Sequence, residues 1–392
     1  MNNHRLKTHF NQLKSYCEQE DFKGWDPYDG LNSKLFQALQ LNRVQLFRLL
    51  WIQLFKHNPI NLRSVFLIPK EHNPKGLALF LTAYCNLYQQ DPKKEYLTTI
   101  HTLAKRLITL QSKGYSGSCW GYNFDWQSRA FFLPKWTPTI VVTSFVGYAL
   151  LDAYEITREK EYLTTALSSA DFILHDLQRT PKSEGFIFSY SPLDQTRVYN
   201  ASLLGSKLLA RIYSHTKDPK LLELAKASVI ACANQQREDG AWIYGELEIQ
   251  SWVDSFHTGY NIESIYEYQK YSGDTQFETV IQKGLNYYLE HFFLDDGTPK
   301  YYDNKTYPID IHAPAQLLAT LSRTQTFKAH QPLIDRVVAW TLTHMQDPKG
   351  YFYYQLKPLK SSKTPYMRWA QAWMLYGLSF YIKESHKNQN IL

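Results

Sequence analysis

Asn86-Leu-Tyr-Gln-Gln-Asp-Pro-Lys-Lys-Glu-Tyr-Leu-Thr-Thr99 returns in kind as Ala153-Tyr-Glu-Ile-Thr-Arg-Glu-Lys-Glu-Tyr-Leu-Thr-Thr165. Two further copies are Arg211-Ile-Tyr-Ser-His-Thr-Lys-Asp-Pro-Lys-Leu-Leu222 and Glu267-Tyr-Gln-Lys-Tyr-Ser-Gly-Asp-Thr-Gln-Phe277. In each, a tyrosine (Tyr88, Tyr154, Tyr213, Tyr268) ends one helical pattern, a short polar turn follows, and an apolar residue opens the next pattern. The tyrosines are 66, 59 and 55 residues apart. A repeat of this size made of two helices is an array of αα-hairpins.

Working outward, helical periodicity predicts hairpins over 74–90 with 93–112, 138–157 with 159–178, 199–215 with 218–236, 256–272 with 275–292 and 312–324 with 331–346. A C-terminal helix near 366–383 pairs with N-terminal helices near 6–19 and 31–56. Pro74, Pro138 and Pro219 stand at or near helix starts, where a missing N–H costs nothing. The expected fold is therefore all-α: a single domain over 1–392 forming an (α/α)6 toroid, a six-hairpin barrel. Residues 1–65 supply the N-terminal helices that pack with the C-terminal one, and 66–383 supply the repeated hairpins. An open solenoid is the alternative, but closure buries both terminal helices.

The connections are unequal. Turns within hairpins are short, whereas 113–137, 179–198, 237–255, 293–311 and 347–365 are long. In an up-down array the long connections all emerge at one end, and long ordered loops tend to carry function. These loops share glycine with aromatics, as in Asp239-Gly-Ala-Trp-Ile-Tyr-Gly and Lys349-Gly-Tyr-Phe-Tyr-Tyr. The pattern suits a structural plug repeated in each hairpin, with Trp120, Trp126, Trp242 and Tyr244 as rings able to stack on sugars. Trp120-Gly-Tyr-Asn-Phe-Asp-Trp-Gln-Ser-Arg gathers Tyr122, Asn123, Asp125, Gln127 and Arg129 among rings, a mix suited to polar ligands.

Three more groupings lie where loop becomes helix. Asp254, His257 and Asn261 share one helical face, with Tyr260 beside them; Asp254 also reads as an N-cap. Asp310 and His312 precede Gln316 by about a turn, and Arg368 and Gln371 lie on a face next to Trp369 and Trp373. Nearer the N-terminus, Asp26, Asp29 and Asn32 crowd a short stretch, and Lys70, His72 and Lys75 precede a helix start where an anion could be held.

Composition sets limits. Of 392 residues, 10 are Trp, 29 Tyr and 21 Phe, an aromatic share of 15%. The net charge of +7 is spread without a dense basic block, which argues against nucleic-acid binding and mildly favours an acidic ligand. Cys17, Cys85, Cys119 and Cys232 are far apart, which suits a reducing compartment. The N-terminus lacks an apolar core for secretion and the apolar stretch 139–151 is short for a bilayer, so a cytoplasmic location is expected. No Walker loop, dinucleotide fingerprint, zinc helix or nucleophile elbow occurs. Neither a metal nor a cofactor is expected.

The loop 120–129, the helix start Asp254-Ser-Phe-His-Thr-Gly-Tyr, Tyr307-Pro-Ile-Asp-Ile-His and Arg368-Trp-Ala-Gln-Ala-Trp together resemble one bacterial family. Asp26-Pro-Tyr-Asp-Gly-Leu-Asn-Ser and Asn73-Pro-Lys-Gly-Leu-Ala fit as well. These are the Vps-type polysaccharide-biosynthesis toroids encoded among exopolysaccharide, capsule and O-antigen genes. More distantly the chain is similar to six-hairpin glycosidases, glucuronyl C5-epimerase toroids and terpenoid cyclases, although the aspartate signatures of the cyclases are absent. The resemblance implies a glycan, or a nucleotide- or lipid-linked sugar, as substrate, and peripheral association with a membrane polysaccharide-assembly complex.

Two chemistries fit the residues. Hydrolysis needs a carboxylic acid and a carboxylate across the bond, about 6.5–9.5 Å apart in an inverting enzyme. The candidate acids are Asp125, Asp254, Glu246 and Asp310, with Arg129, Arg368 and His257 binding the sugar. Epimerisation or elimination of a uronate needs a base and an acid on opposite ring faces and a cation for the enolate. His257, His312 and Tyr122 or Tyr260, with Arg129 or Arg368, would serve. A non-catalytic glycan-binding or scaffolding subunit, using the same rings and polar side chains, is the alternative to an enzyme.

Overall fold

In the computed structural model, which describes residues 3–58, 60–128 and 131–389, the quoted repeats become the turns between an inner and an outer helix. The helices are α1 (Asn3–Gln19), α2 (Lys34–Ala38), α3 (Gln45–His57), α4 (Pro74–Gln90), α5 (Lys94–Thr109), α6 (Ile140–Thr157) and α7 (Lys160–His175). They continue as α8 (Tyr199–Thr216), α9 (Pro219–Ala233), α10 (Ser255–Ser272), α11 (Glu278–His291), α12 (His312–Arg323), α13 (Gln331–Met345) and α14 (Trp373–Gln389). A π-helical segment, Met367–Ala372, leads into α14. Two of the repeated turns share one helix ending. Arg158 and Lys217 end α6 and α8 in the left-handed conformation, and their N–H groups close on the carbonyls of Tyr154 and Tyr213, each at 2.8 Å.

α4, α6, α8, α10, α12 and α14 pack each on the next, and α14 returns to α4, so the inner ring closes. α5, α7, α9, α11 and α13 back their preceding inner helices, and α1 backs α14 as the sixth outer helix. The fold is thus the (α/α)6 toroid. The inner helices are buried nearly all round, which explains why α6 is long and apolar enough to cross a bilayer by length and composition: it is mostly buried core.

Glycines stitch neighbouring hairpins. A Cβ on Gly117, Gly185, Gly240 or Gly297 would strike a carbonyl oxygen of α7, α9, α11 or α13, at 1.9 Å for Gly185 and Ala227 O. Gly350 meets Gln12 O of α1 at 2.6 Å, which continues the pattern around the closure. The long loops carry three antiparallel ribbons. They are β1 (Trp126–Gln127) with β2 (Phe132–Leu133), β3 (Arg179–Pro181) with β4 (Phe186–Phe188), and β5 (Ile309–Asp310) with β6 (Gln355–Leu356).

At the opposite end the bore is plugged by buried charges. Glu263 takes Lys207, Arg323 and Gln316; Glu267 takes Tyr148; and Arg211 takes Asp152 at 2.7 Å. The expected N-terminal helix 31–56 is instead two helices, α2 and α3. Ser33 caps α2, and Gln40 at φ 55° turns the chain between them. This segment lies over the loop end of the toroid, with Trp51 Nε1 donating to Gly30 O and Arg48 Nε to Gln127 Oε1.

Candidate active site

Every inner helix starts at the loop end, so the helix-start groupings converge there. Asp254 caps α10 by accepting from His257 N at 3.0 Å, and its other oxygen lies 2.7 Å from His257 Nδ1. Trp252 Nε1 donates to that same oxygen at 2.9 Å. Three donors thus fix the carboxylate, and the aspartate fixes the imidazole with Nδ1 inward and Nε2 outward. The Asp254 side chain is fully buried whereas that of His257 is 20% exposed, so the dyad opens outward through the histidine. Tyr244 flanks the imidazole, its ring 4.6 Å away, and itself stacks on Trp252.

One turn on, Tyr260 Oη is 2.9 Å from His312 Nε2, and His312 Nδ1 is buried without a partner among the described residues. Phe256 stacks on His312 at 4.2 Å and also touches His257, so both imidazoles border the same rings. Burial, then the positive charges of Lys75, His257 and Arg368, holds the His312 pKa well below the ordinary imidazole value. Lys75 itself has no carboxylate within ion-pair distance among the described residues. Its ammonium lies 4.4 Å from the Phe145 ring and 5.3 Å from that of Tyr260, and Nζ is 3.4 Å from Tyr260 Oη. Burial and nearby Arg368 push its pKa well down.

The remaining carboxylates are engaged. Asp310 accepts from His312 N, Gln355 Nε2 and Trp369 Nε1 at 2.9, 2.6 and 2.9 Å, and burial raises its pKa to about 6. Asp26 holds Arg368 through two bonds of 2.6 and 2.8 Å, so that guanidinium faces a carboxylate of its own chain while packing on Tyr122 and Trp369. Asp29 likewise holds Arg63. Asp125 accepts from Lys135 N at 2.7 Å. Glu246 lies apart, ion-paired to Lys182 and Arg197.

The structure therefore brings together Asp254, His257, Tyr260, His312, Trp369 and, through Trp369, Asp310. Tyr122 and Trp126 join on another side, 5.7 Å apart and linked to Tyr190. Trp120 and Trp242 are packing residues of the plugs, donating to Leu107 O and Cys232 O. Asn123 binds Asn73 and Glu71 and forms part of the wall between loop and N-terminal segment. Arg129 lies outside the described residues. Of the anion-site trio, Lys70 pairs with Glu20, His72 lies beside Asp21 and Arg106, and only Lys75 reaches the bore. Tyr28 belongs to the site as well, although no helical spacing marks it in the sequence. Its ring lies between Trp126 and Trp369, and its hydroxyl takes Lys56 at 3.2 Å. The signal for it was the ring in the middle of Asp26-Pro-Tyr-Asp29. No group of three His, Cys, Asp or Glu side chains able to hold a metal occurs among the described residues.

No family model and no curated protein matches the sequence. Solved structures do match in fold. A cellobiose 2-epimerase from Bacillus thermoamylovorans B4167 is 13% identical, with a TM-score of 0.64, covering 81% of this chain and 90% of that one. An unsaturated glucuronyl hydrolase specific for heparin is 13% identical, with a TM-score of 0.60 and coverage of 81% and 88%. The polysaccharide lyase BACCELL_00875 is 11% identical, with a TM-score of 0.57 and coverage of 81% and 91%. At such identities the likeness establishes the six-hairpin toroid.

Proposed function

We propose that this chain is a glycan-acting enzyme of bacterial surface-polysaccharide assembly that works by imidazole acid/base chemistry at a sugar carbon. The observation that carries the reading is the pair of imidazoles around Phe256 and Tyr260: His257 fixed by Asp254, and His312 held neutral beside Tyr260. His257 Nε2, free and outward, would take a proton from carbon next to a carbonyl or carboxylate. The Tyr260–His312 pair would return a proton on the opposite face, which inverts the centre. Lys75, buried beside Tyr260 with its pKa pushed well down, would orient that hydroxyl by hydrogen bonding.

Hydrolysis by two carboxylates is less well served, because Asp254 and Asp310 each accept several protein donors and Glu246 lies elsewhere. That the fold neighbours include an epimerase, a hydrolase and a lyase by name fits a glycan substrate without choosing among the reactions. The test is proton exchange. Wild-type protein incubated in heavy water with acidic and neutral oligosaccharides should place deuterium at one sugar carbon, read by mass spectrometry. His257→Ala should abolish the exchange and Asp254→Asn should depress it severely, both retaining ligand binding. Cleavage without exchange would instead support hydrolysis. Binding with no exchange and no cleavage, together with full complementation of a knockout by Asp254→Asn, would support a scaffolding role.

A further inference from the structure

The residues covering the loop end form an apolar surface that nothing in the described chain packs against. Among the described residues, ten of the sixteen exposed large hydrophobic side chains fall between Leu35 and Leu67. On α3 they form a stripe at helical spacing, Leu46, Leu50 and Leu54, with Phe47 beside it. The opposite face of α3 buries Ile52 and Phe55 towards the toroid. Leu35 of α2 and Leu39 just after it are also exposed, and Val65 is 70% exposed in the loop after α3. A protein that met only water would not be expected to expose so many large apolar groups in one place.

The segment that forms this surface carries cations and no acid of its own. No Asp or Glu occurs in residues 30–70; Lys34 and Arg43 are exposed there and Arg48 and Lys56 half-buried, whereas Arg63 is buried on Asp29 and Lys70 pairs with Glu20. The loop after β6 leads to Tyr366, whose hydroxyl donates to Phe55 O of α3 at 3.5 Å. Its tip is Leu359, 95% exposed and set among Lys357, Lys360 and Lys363. No acid occurs in residues 348–383. Two stretches distant in sequence, neither carrying an Asp or Glu of its own, thus present exposed leucines beside lysine and arginine at the same end of the toroid.

We infer that α2, α3 and the 357–363 loop form a docking surface for an anionic lipid bilayer, seating the loop end of the toroid on the headgroups. The apolar stripe would sink into the headgroup–acyl boundary while the lysines meet lipid phosphates. This inference rests on the surface alone and stands whether or not the proposed chemistry of the bore holds. Docked in this way, the loop end that carries the site faces the membrane, where a lipid-linked glycan would be presented.

The experiment is co-sedimentation of the full chain with phosphatidylcholine vesicles made with and without phosphatidylglycerol. Binding is expected only with the anionic lipid, weakening as salt rises. Lys360→Gln/Lys363→Gln should reduce the affinity roughly thirty-fold, at about 1 kcal/mol per lysine near an anionic surface. Leu46→Gln/Leu50→Gln should abolish stable binding with the circular dichroism unchanged; if that variant misfolds, the lysine variant decides alone. No binding, equal binding to neutral vesicles, or lysine variants that bind as wild type would overturn the proposal. So would a dimer in solution that Leu46→Gln/Leu50→Gln turns into monomer while vesicles are ignored, because the surface would then belong to a second copy of this chain.

Discussion

His312 and Asp310 are two residues apart on the chain yet are displaced oppositely by burial, and that difference is measurable. The folded His312 stays neutral well below its ordinary value of 6.5. Below that pH the unfolded chain takes up a proton the folded one refuses, so this group removes stability as pH falls, by about 1.4 kcal/mol per pH unit. Asp310 is raised from 3.8 to about 6, so the folded state holds its proton more tightly. It adds stability as pH falls through 6 and loses that contribution as pH rises. Urea unfolding of wild type and His312→Gln from about pH 7 down to about pH 5 should show the variant gaining on wild type as pH falls. Asp310→Asn should show the reverse, losing ground to wild type over the same range. Parallel pH profiles would mean that neither side chain titrates as its burial requires. The sequence showed Asp254, His257 and His312 through their spacing at helix starts. It could not show that Arg368 is held by Asp26, because that pairing joins residues 342 apart across the ring closure.

The glycine loops are where element packing is most sensitive. Gly240 has φ 97° and would place a Cβ 2.4 Å from Lys283 O of α11, so an alanine there faces both a left-handed backbone and a backbone clash. Gly114 has φ 88° but open space around it. Gly240→Ala should therefore cost roughly 2–4 kcal/mol, against about 1–2 kcal/mol for Gly114→Ala, as read from urea midpoints. Equal costs would show that the glycine contact does not hold the loop against the next hairpin. The hairpins themselves were legible, since a helical period punctuated by the same tyrosine turn leaves little choice of element. The break between α2 and α3 was not. Leucines run through Leu39-Gln-Leu41 without glycine or proline, and the turn depends on Gln40 adopting φ 55°. A continuous apolar pattern reads as one helix, and only packing over the loop end divides it.

For the molecule as a whole, closure decides what the bore can be. Buried ion pairs plug one end, and the N-terminal segment covers the other, tied to the sixth hairpin by Asp26–Arg368 and by Arg63, which bonds both Asp29 and Tyr366 Oη. Gly24 is so close to Met367 that a Cβ there would meet its side chain at 2.4 Å, so the tie is steric as well as ionic. The segment is thus fastened at the same point where the ring closes, and loosening one should loosen the other. Arg368→Met leaves Asp26 buried and unpaired, which should cost about 3–5 kcal/mol, whereas Asp26→Leu/Arg368→Met should recover much of that because no lone charge remains. Hydrogen exchange distinguishes this tie from ordinary core packing. In Arg368→Met, protection should fall first in residues 20–73 and in α1 and α14, while α8 to α11, on the far side of the ring, keep theirs. Loss spread evenly over all six hairpins would mean that the ring opens as one unit and that the N-terminal segment has no independent hold on the site.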